Sequence, residues 1–322
     1  MTTLTSSFCC IDTDATFFIS KIKKLGGKIM SIFIGCGVAI VTPFLSDGSV
    51  DFEEFRNLIE WQIAEGIDCI VVCGTTGEAS TLDDHEHVET IRFCVNLVNR
   101  RVPVIGGAGS NDTRHGINLA REIEKTGVDA LLLVTPYYNK CSQVGLIQHY
   151  TATAEAVNIP CILYSVQGRC GMNIEPATVA TLAKHPRIVG IKEASGNIAQ
   201  VAEIARLVPD DFAIYSGNDD MVIPLMSLGG MGFISVIANI APRDSVLMSR
   251  AFLDGDIITA RKLQLDMKAL IDSMFADVNP IPVKAALAMM GKCQLEYRLP
   301  LCPPSQQVND RIHREMSAYG LL

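Results

Sequence analysis

Lys192 is the residue of this sequence with the clearest chemical potential. It stands in an otherwise apolar run, Ile-Val-Gly-Ile-Lys-Glu-Ala at 188–194. Burial disfavours the charged ammonium and lowers the pKa of a lysine, which leaves a neutral amine able to attack a carbonyl carbon. A lysine at a strand end can also extend its head group to solvent, so position alone leaves a surface role open. The pattern favours an amine nucleophile.

Two threonines and three tyrosines follow the ends of other predicted strands, where they could serve such an amine. Thr75 and Thr76 could present hydroxyls and backbone amides to a carboxylate, or simply cap the following helix. Tyr137, Tyr138 and Tyr164 could move protons near a forming imine, or fill the mouth of the site with apolar surface. The spacing leaves both interpretations open for each residue.

The remaining loops limit the substrate class. Arg169 is a lone cation beyond the fifth predicted strand and suits an anionic substrate, although it could also be a surface charge. The loops after the seventh and eighth predicted strands lack glycine-rich phosphate chemistry, so an unphosphorylated keto acid is favoured. His85 and His87 have no third ligand at a recognisable spacing, which favours a solvated helix face over a metal site.

Eight short apolar runs alternate with amphipathic stretches from residue 36 onward. The runs are apolar at consecutive positions, which is typical of strands buried on both faces. The stretch 52–64 has helical spacing, with Asp51 as its predicted cap. Gly-Cys-Gly at 35–37 precedes the first predicted strand and lacks the third glycine of a dinucleotide-binding loop. The predicted strands are 38–41, 69–73, 102–105, 130–134, 161–164, 188–191, 212–215 and 232–236.

Eight such units predict an α/β fold, a (β/α)8 TIM barrel with a C-terminal helical extension. Functional residues of such barrels lie at the C-terminal ends of the strands. We expect a poorly ordered extension over 1–30, the barrel over 31–255 and a helical layer over 256–322. Stretches 257–277 and 281–290 of that layer are separated by Asn-Pro-Ile-Pro at 279–282.

Composition excludes several other classes of protein. The chain is 48% hydrophobic and 19% charged, with a formal net charge of −8, which disfavours nucleic acid and anionic membranes as partners. No apolar run reaches the roughly 18 residues of a membrane span. Several of the eleven cysteines lie inside apolar segments, which predicts free thiols and a cytoplasmic location.

Four motifs together resemble the dihydrodipicolinate synthase family of pyruvate-dependent aldolases. They are Gly-Thr-Thr-Gly-Glu at 74–78, Val-Thr-Pro-Tyr-Tyr-Asn at 134–139, Gly-Ile-Lys-Glu-Ala at 190–194 and Asn-Pro-Ile-Pro-Val-Lys at 279–284. The resemblance implies a Schiff-base-forming lyase that condenses pyruvate with L-aspartate 4-semialdehyde in diaminopimelate and lysine biosynthesis. It implies no metal and no organic cofactor, and assembly as a homotetramer.

The resemblance also implies roles for individual residues. Lys192 would form the imine with pyruvate, and Thr76 and Ile234 would bind pyruvate. Arg169 would receive the carboxylate of the semialdehyde. A relay of protons would pass through Tyr164, Thr75 and Tyr138, the last supplied by a neighbouring subunit.

One loop departs from the family pattern. Residues 165–171 read Ser-Val-Gln-Gly-Arg-Cys-Gly, where the family commonly has Asn-Val-Pro-Ser-Arg-Thr-Gly, and the missing proline predicts a less rigid loop. The nearest alternative is a sister aldolase such as N-acetylneuraminate lyase, which typically lacks this arginine. A catalytically silent barrel retained for binding or assembly is the alternative from another class.

The resemblance further predicts weak or absent inhibition by free lysine. Asn111, Tyr137 and His87 match residues that hold the inhibitor in lysine-sensitive members of the family. Asp84 stands at a second histidine position, and His115 stands where those members have the glutamate that pairs with the ammonium of lysine. A neutral or cationic imidazole cannot supply the same attraction.

Overall fold

The computed structural model describes residues 31–322 and confirms the (β/α)8 barrel. Eight parallel strands pair in chain order, and β1 pairs with β8, so the sheet is closed. The extension expected over 1–30 lies outside the described residues. The strands are β1 Gly35–Ala39, β2 Cys69–Val72, β3 Val104–Gly107, β4 Ala130–Val134, β5 Cys161–Ser165, β6 Ile188–Glu193, β7 Ala213–Ser216 and β8 Gly232–Ser235.

Helices connect the strands and cover the outside of the barrel. In the described part they are α1 Phe52–Ala64, α2 Asp84–Val98, α3 Thr113–Glu124, α4 Gln143–Glu155, α5 Gln167–Cys170, α6 Pro176–Leu182, α7 Ile198–Leu207, α8 Val222–Ser227, α9 Pro242–Leu253, α10 Ile257–Asp266, α11 Lys268–Met274, α12 Ile281–Met289 and α13 Gln306–Tyr319. None of these helices has the length and apolar character needed to cross a membrane.

Helix α1 shows why local sequence was sufficient in places. Its bounds coincide with the predicted stretch 52–64, and the Asp51 carboxylate accepts a hydrogen bond from the Glu54 amide at 3.0 Å. Phe55, Leu58 and Ile59 are buried on one face, as their spacing predicted. The capping residue and the apolar face of this helix lie within a few residues of each other, so the helix can be predicted without knowledge of its tertiary contacts.

Several strand limits were predicted wrongly where glycines lie in the sheet. Gly-Cys-Gly at 35–37 does not precede the first strand but belongs to β1, and β3 extends to Gly107. A Cβ at Gly107 would collide with the backbone of Cys73, so the two neighbouring segments approach too closely for any side chain. β6 also continues to Glu193, which places Lys192 inside the strand.

The C-terminal helical layer contains more helices than the two stretches that the sequence pattern predicted. The stretch 257–277 is two helices, α10 and α11, and α12 covers most of the stretch 281–290. A further helix, α13, was missed because most of its residues are polar. Ile312 and Met316 anchor α13 in the core. The division between barrel and helical layer at 255/256 stays a prediction. The cysteines of residues 31–322 are all free thiols, as expected.

A buried ion pair joins the barrel to this layer. The Lys284 ammonium of α12 lies 2.6 Å from the Glu78 carboxylate, and both side chains are fully buried. Glu78 follows β2 in a left-handed conformation (φ +54°), which is costly for a non-glycine residue. Lys284 also lies over the rings of Phe44 and Tyr297. The pair therefore fixes the loop that carries Thr75 and Thr76.

Replacing Lys284 with methionine is expected to destabilise the protein by about 3–5 kcal/mol, because the Glu78 carboxylate would remain buried without an opposite charge. The midpoint of urea denaturation measures this change. Lys268→Met is the control, since it removes an exposed pair with Asp272 worth about 0–1 kcal/mol. Equal losses in the two variants would contradict the assigned role of the buried pair.

Candidate active site

Lys192 lies in the barrel with its side chain almost completely buried, at 4% exposed. It is level with Tyr164 of β5 and with Tyr215 of β7 in the strand register. Its Nζ is 4.4 Å from the centre of the Tyr164 ring. The amine thus lies beside an aromatic face and away from solvent, and of the two interpretations of the sequence the buried one is observed.

The charge on Lys192 is less favourable than the charge on an exposed lysine. Burial is the main cause that lowers the pKa of Lys192 from the ordinary value of 10.5, the Asp219 carboxylate raises it and the Arg169 guanidinium lowers it, and the resulting pKa is about 8. At pH 7 a pKa of 8 leaves about a tenth of the amine neutral, compared with about one in three thousand at 10.5. Lys192 therefore has a substantial population of the nucleophilic form.

Gly217 leaves the space that the Lys192 side chain occupies. A Cβ at Gly217 would lie 3.1 Å from Cε of Lys192 and 2.7 Å from Cβ of Ala194. The backbone N–H of Gly217 also donates to the carbonyl of Glu193 at 2.7 Å. The turn after β7 is therefore packed directly on the lysine, and only a residue without a side chain fits there.

Tyr164 and Thr75 face a cavity of about 440 Å³ at the mouth of the barrel. Burial raises the pKa of the Tyr164 phenol to about 12, while Arg169 and the Thr75 side chain act to lower it. A phenol with this pKa is protonated near neutral pH, so it can donate a proton or pass one on. The structure brings Tyr164, Thr75 and Arg169 to the same cavity.

Asn279 links two residues that the sequence analysis treated separately. Its side-chain Nδ2 donates to Oγ1 of buried Thr76 at 3.0 Å, and its backbone carbonyl accepts from Nη2 of Arg169 at 2.6 Å. Arg169 lies on α5, a single helical turn within the segment for which a less rigid loop was expected. The sequence analysis identified Asn279 as part of a family motif and of a break between helices but gave it no role in the site, because its partners are distant in the chain.

Tyr138 does not join this group within the chain. Its side chain is 93% exposed, and its backbone has a positive φ of +71°. Such a conformation is uncommon for a bulky residue and persists only where surrounding structure imposes it. Ile234 is buried in β8, opposite Gly37 of β1. Of the seven predicted site residues, five are linked to one another through Tyr164 and Asn279, Ile234 lies apart from them in β8, and the Tyr138 side chain is exposed.

One of the two histidines of α2 differs from the expected solvated helix face. His85 is exposed, but His87 is buried, and its Nε2 lies 2.7 Å from the Gly107 carbonyl. The prediction of a solvated face was wrong for His87, since the helix turns this residue toward β3. Exposed His115 pairs with Asp84 through contacts of 2.9 and 3.1 Å.

Comparison with known proteins shows the family to which the chain belongs. The model of the dihydrodipicolinate synthetase family matches residues 32–319. The chain belongs to this family. A 4-hydroxy-tetrahydrodipicolinate synthase from Acetivibrio thermocellus is 51% identical over 291 residues, which cover 90% of this chain and 99% of that protein.

Solved structures give the same result. Dihydrodipicolinate synthase from Thermotoga maritima superimposes with a TM-score of 0.89 at 38% identity, covering 91% of this chain and all of that one. The enzyme from Cyanidioschyzon merolae, solved with lysine bound, superimposes with a TM-score of 0.88 at 38% identity and covers 90% and 99% of the two chains.

Lys192 is expected to titrate as an unusually acidic lysine in the unliganded protein. Acetic anhydride labels only neutral amines, so its rate of reaction with Lys192 should rise with pH and reach half its maximum near pH 8. Mass spectrometry of proteolytic peptides measures this rate across a pH series. Lys268 is the internal control, because Asp272 raises its pKa above 10.5. A midpoint above about 10 for Lys192 would contradict the assigned environment.

Proposed function

We propose that this protein is a 4-hydroxy-tetrahydrodipicolinate synthase, which condenses pyruvate with L-aspartate 4-semialdehyde through a Schiff base on Lys192. The observation that carries the proposal is a lysine amine buried in a barrel strand beside the Tyr164 ring. The family membership and the names of the relatives support the choice of substrates. The reaction belongs to diaminopimelate and lysine biosynthesis in the cytoplasm.

The first step is capture of pyruvate. The neutral amine of Lys192 attacks C2, and loss of water gives a protonated imine. Thr76 holds the pyruvate carboxylate, and the backbone of Ile234 contacts the same substrate. Tyr164 donates the proton that accompanies the departing oxygen, which its high pKa allows because the phenol is protonated near neutral pH. Thr75 continues the relay from Tyr164.

The second step forms the new carbon–carbon bond. Loss of a methyl proton from the imine gives an enamine, whose terminal carbon attacks the aldehyde carbon of the semialdehyde. The amino group of that substrate then attacks the imine carbon, closes the ring and releases Lys192. The Arg169 guanidinium binds the carboxylate of the semialdehyde. The hydrogen bond that Arg169 donates to the backbone carbonyl of Asn279 holds the guanidinium at the cavity. The protonated imine serves as the electron sink.

Tyr138 acts from a neighbouring subunit in this proposal. Its side chain projects from the surface in a strained backbone conformation, so it is directed away from its own cavity and available to another. The active assembly is therefore at least a dimer, and we propose a homotetramer built as a dimer of dimers.

Borohydride reduction with pyruvate is expected to add one reduced pyruvyl group, located on Lys192 by peptide mass spectrometry. Lys192→Ala should lose both the adduct and turnover, whereas Lys184→Ala, which changes an exposed lysine, should keep both. A coupled assay should show condensation with aspartate semialdehyde and not with N-acetylmannosamine. An adduct on another lysine, or preference for the sugar, would overturn the assignment.

Mixing two inactive variants should restore activity if Tyr138 is shared. In a dimer of one Tyr138→Phe and one Lys192→Ala subunit, one of the two sites carries both native residues. Random exchange of equal amounts would therefore recover about a quarter of native activity. Native mass spectrometry verifies the exchange. Absence of recovery after verified exchange would count against a shared site.

Free lysine is expected to inhibit this protein weakly or not at all. His115 replaces the glutamate of sensitive members, and the available carboxylate of Asp84 is already paired with that imidazole. Loss of one charge-assisted hydrogen bond costs about 1.5–3 kcal/mol, or roughly ten- to over a hundredfold in affinity. A lysine titration in the coupled assay tests this. Half-inhibition at submillimolar lysine would show the prediction to be wrong.

A further inference from the structure

Asp219 is a buried carboxylate to which the proposed reaction gives no role. It begins the single turn Asp219–Met221 after β7, and only 3% of the residue is exposed. Within residues 31–322, its Oδ1 is buried without a hydrogen-bond partner. Burying a carboxylate is unfavourable unless an opposite charge or several donors compensate it. Burial of the Asp219 carboxylate must therefore be compensated by its surroundings.

The other atoms of Asp219 are held firmly in place. Its Oδ2 accepts hydrogen bonds from the backbone N–H groups of Val236 and Ile237, each at 3.0 Å. Its carbonyl accepts from Nε2 of Gln264 in α10 at 2.8 Å, and Oε1 of Gln264 accepts from the Ile223 amide at 3.1 Å. Asp219 thus fastens the turn after β7 to the segment that directly follows Ile234 and Ser235 in β8.

The same turn packs against Lys192. Gly217, two residues before Asp219, is the residue whose absent Cβ leaves room for Cε of the lysine. In the sheet, Ser216 of β7 pairs with Glu193 on one side and with Phe233 on the other. The turn 217–219 consequently stands between the lysine of β6 and the end of β8.

We propose that Asp219 is a positioning residue for Lys192: a fixed anion, held by the end of β8, that faces the lysine inside the barrel and favours its positively charged forms. The inference rests on the proposed function in that Lys192 forms the imine. Asp219 stabilises both the ammonium of the resting protein and the protonated imine. The protonated imine is the electron sink that makes loss of the methyl proton possible.

The charges around the pair support this assignment. Lys192 is acted on by the cation Arg169 and by the anion Asp219, beside the neutral Tyr164 phenol. Burial raises the pKa of Asp219, and this effect is opposed by the Ser235 side chain, by the two backbone amides that follow β8 and, least, by Lys192. From β1 Asp219 faces the Cys36 thiol, whose pKa burial raises, so that group is neutral.

Neutralising Asp219 has two opposite consequences. The pKa of Lys192 falls, so more of the amine is neutral and pyruvate capture is faster below pH 8. The protonated imine loses its counter-charge, so the later deprotonation is slower. A residue that only maintained the fold would slow both steps. Faster capture combined with slower turnover is therefore the signature of the proposed role.

The test uses the full chain and the variant Asp219→Asn, whose side-chain oxygen can still accept from the amides of Val236 and Ile237. Acetic anhydride labelling of the unliganded protein should place the midpoint for Lys192 at least about one pH unit below that of the parent. At pH 7 this gives about fivefold faster labelling. Exposed Asp220→Asn is the matched control and should leave the midpoint unchanged.

Two further variants of Asp219 test whether the charge of the side chain causes the shift in the midpoint. Asp219→Glu retains the charge and should keep the midpoint closer to the parent value than Asp219→Asn does. Asp219→Ser is a smaller neutral substitute should the asparagine variant fail to fold, and the same downward shift is expected. An unchanged midpoint in a folded neutral variant, or an equal shift in Asp220→Asn, would overturn the proposal.

Kinetics separate this inference from the proposed function. At pH 7 the Asp219→Asn protein should form the borohydride-reducible pyruvate adduct faster while its kcat falls. If no adduct forms on Lys192 in the parent, the proposed function fails, whereas the labelling shift would still stand. If the adduct forms but the neutral variant slows capture and turnover alike, Asp219 is only structural.

Discussion

Burial of one lysine inside a closed barrel is the constraint on which the other features of the site depend. An ammonium is unstable in such a place unless charge and geometry compensate it. Lys192 is 4% exposed and has a pKa of about 8, between full charge and full neutrality at physiological pH. That intermediate state suits a group that must be neutral to attack and positive once the imine has formed.

The barrel meets this constraint with parts that come from distant stretches of the chain. Gly217 provides space, the Tyr164 ring provides an aromatic face, and we assign the counter-charge to Asp219. A second buried pair, Glu78 with Lys284, fixes the loop of the threonines to the helical layer. Asn279 from the same layer then connects Thr76 with Arg169. The C-terminal layer is therefore a structural part of the site.

The sequence predicted those features that depend on local pattern. Three features could be predicted from the sequence: the eight strands, helix α1 with its Asp51 cap, and the position of Lys192 in an apolar strand. Each depends on apolar or capping residues that lie within a few positions of one another. Glu78, Asp219 and Asn279 act through partners far away in sequence, so neither spacing nor residue type distinguished them. His87 was misjudged for the same reason, since only the packing of its helix against β3 shows that it is buried.

A crystal structure of the protein soaked with pyruvate tests the central claim most directly. The account predicts continuous density from Nζ of Lys192 to C2 of pyruvate, with the carboxylate at Thr76 and the Tyr164 hydroxyl facing the imine. Asp219 should keep its hydrogen bonds to the end of β8 in that state. Pyruvate bound without a covalent bond to Lys192, or joined to a different lysine, would contradict the account.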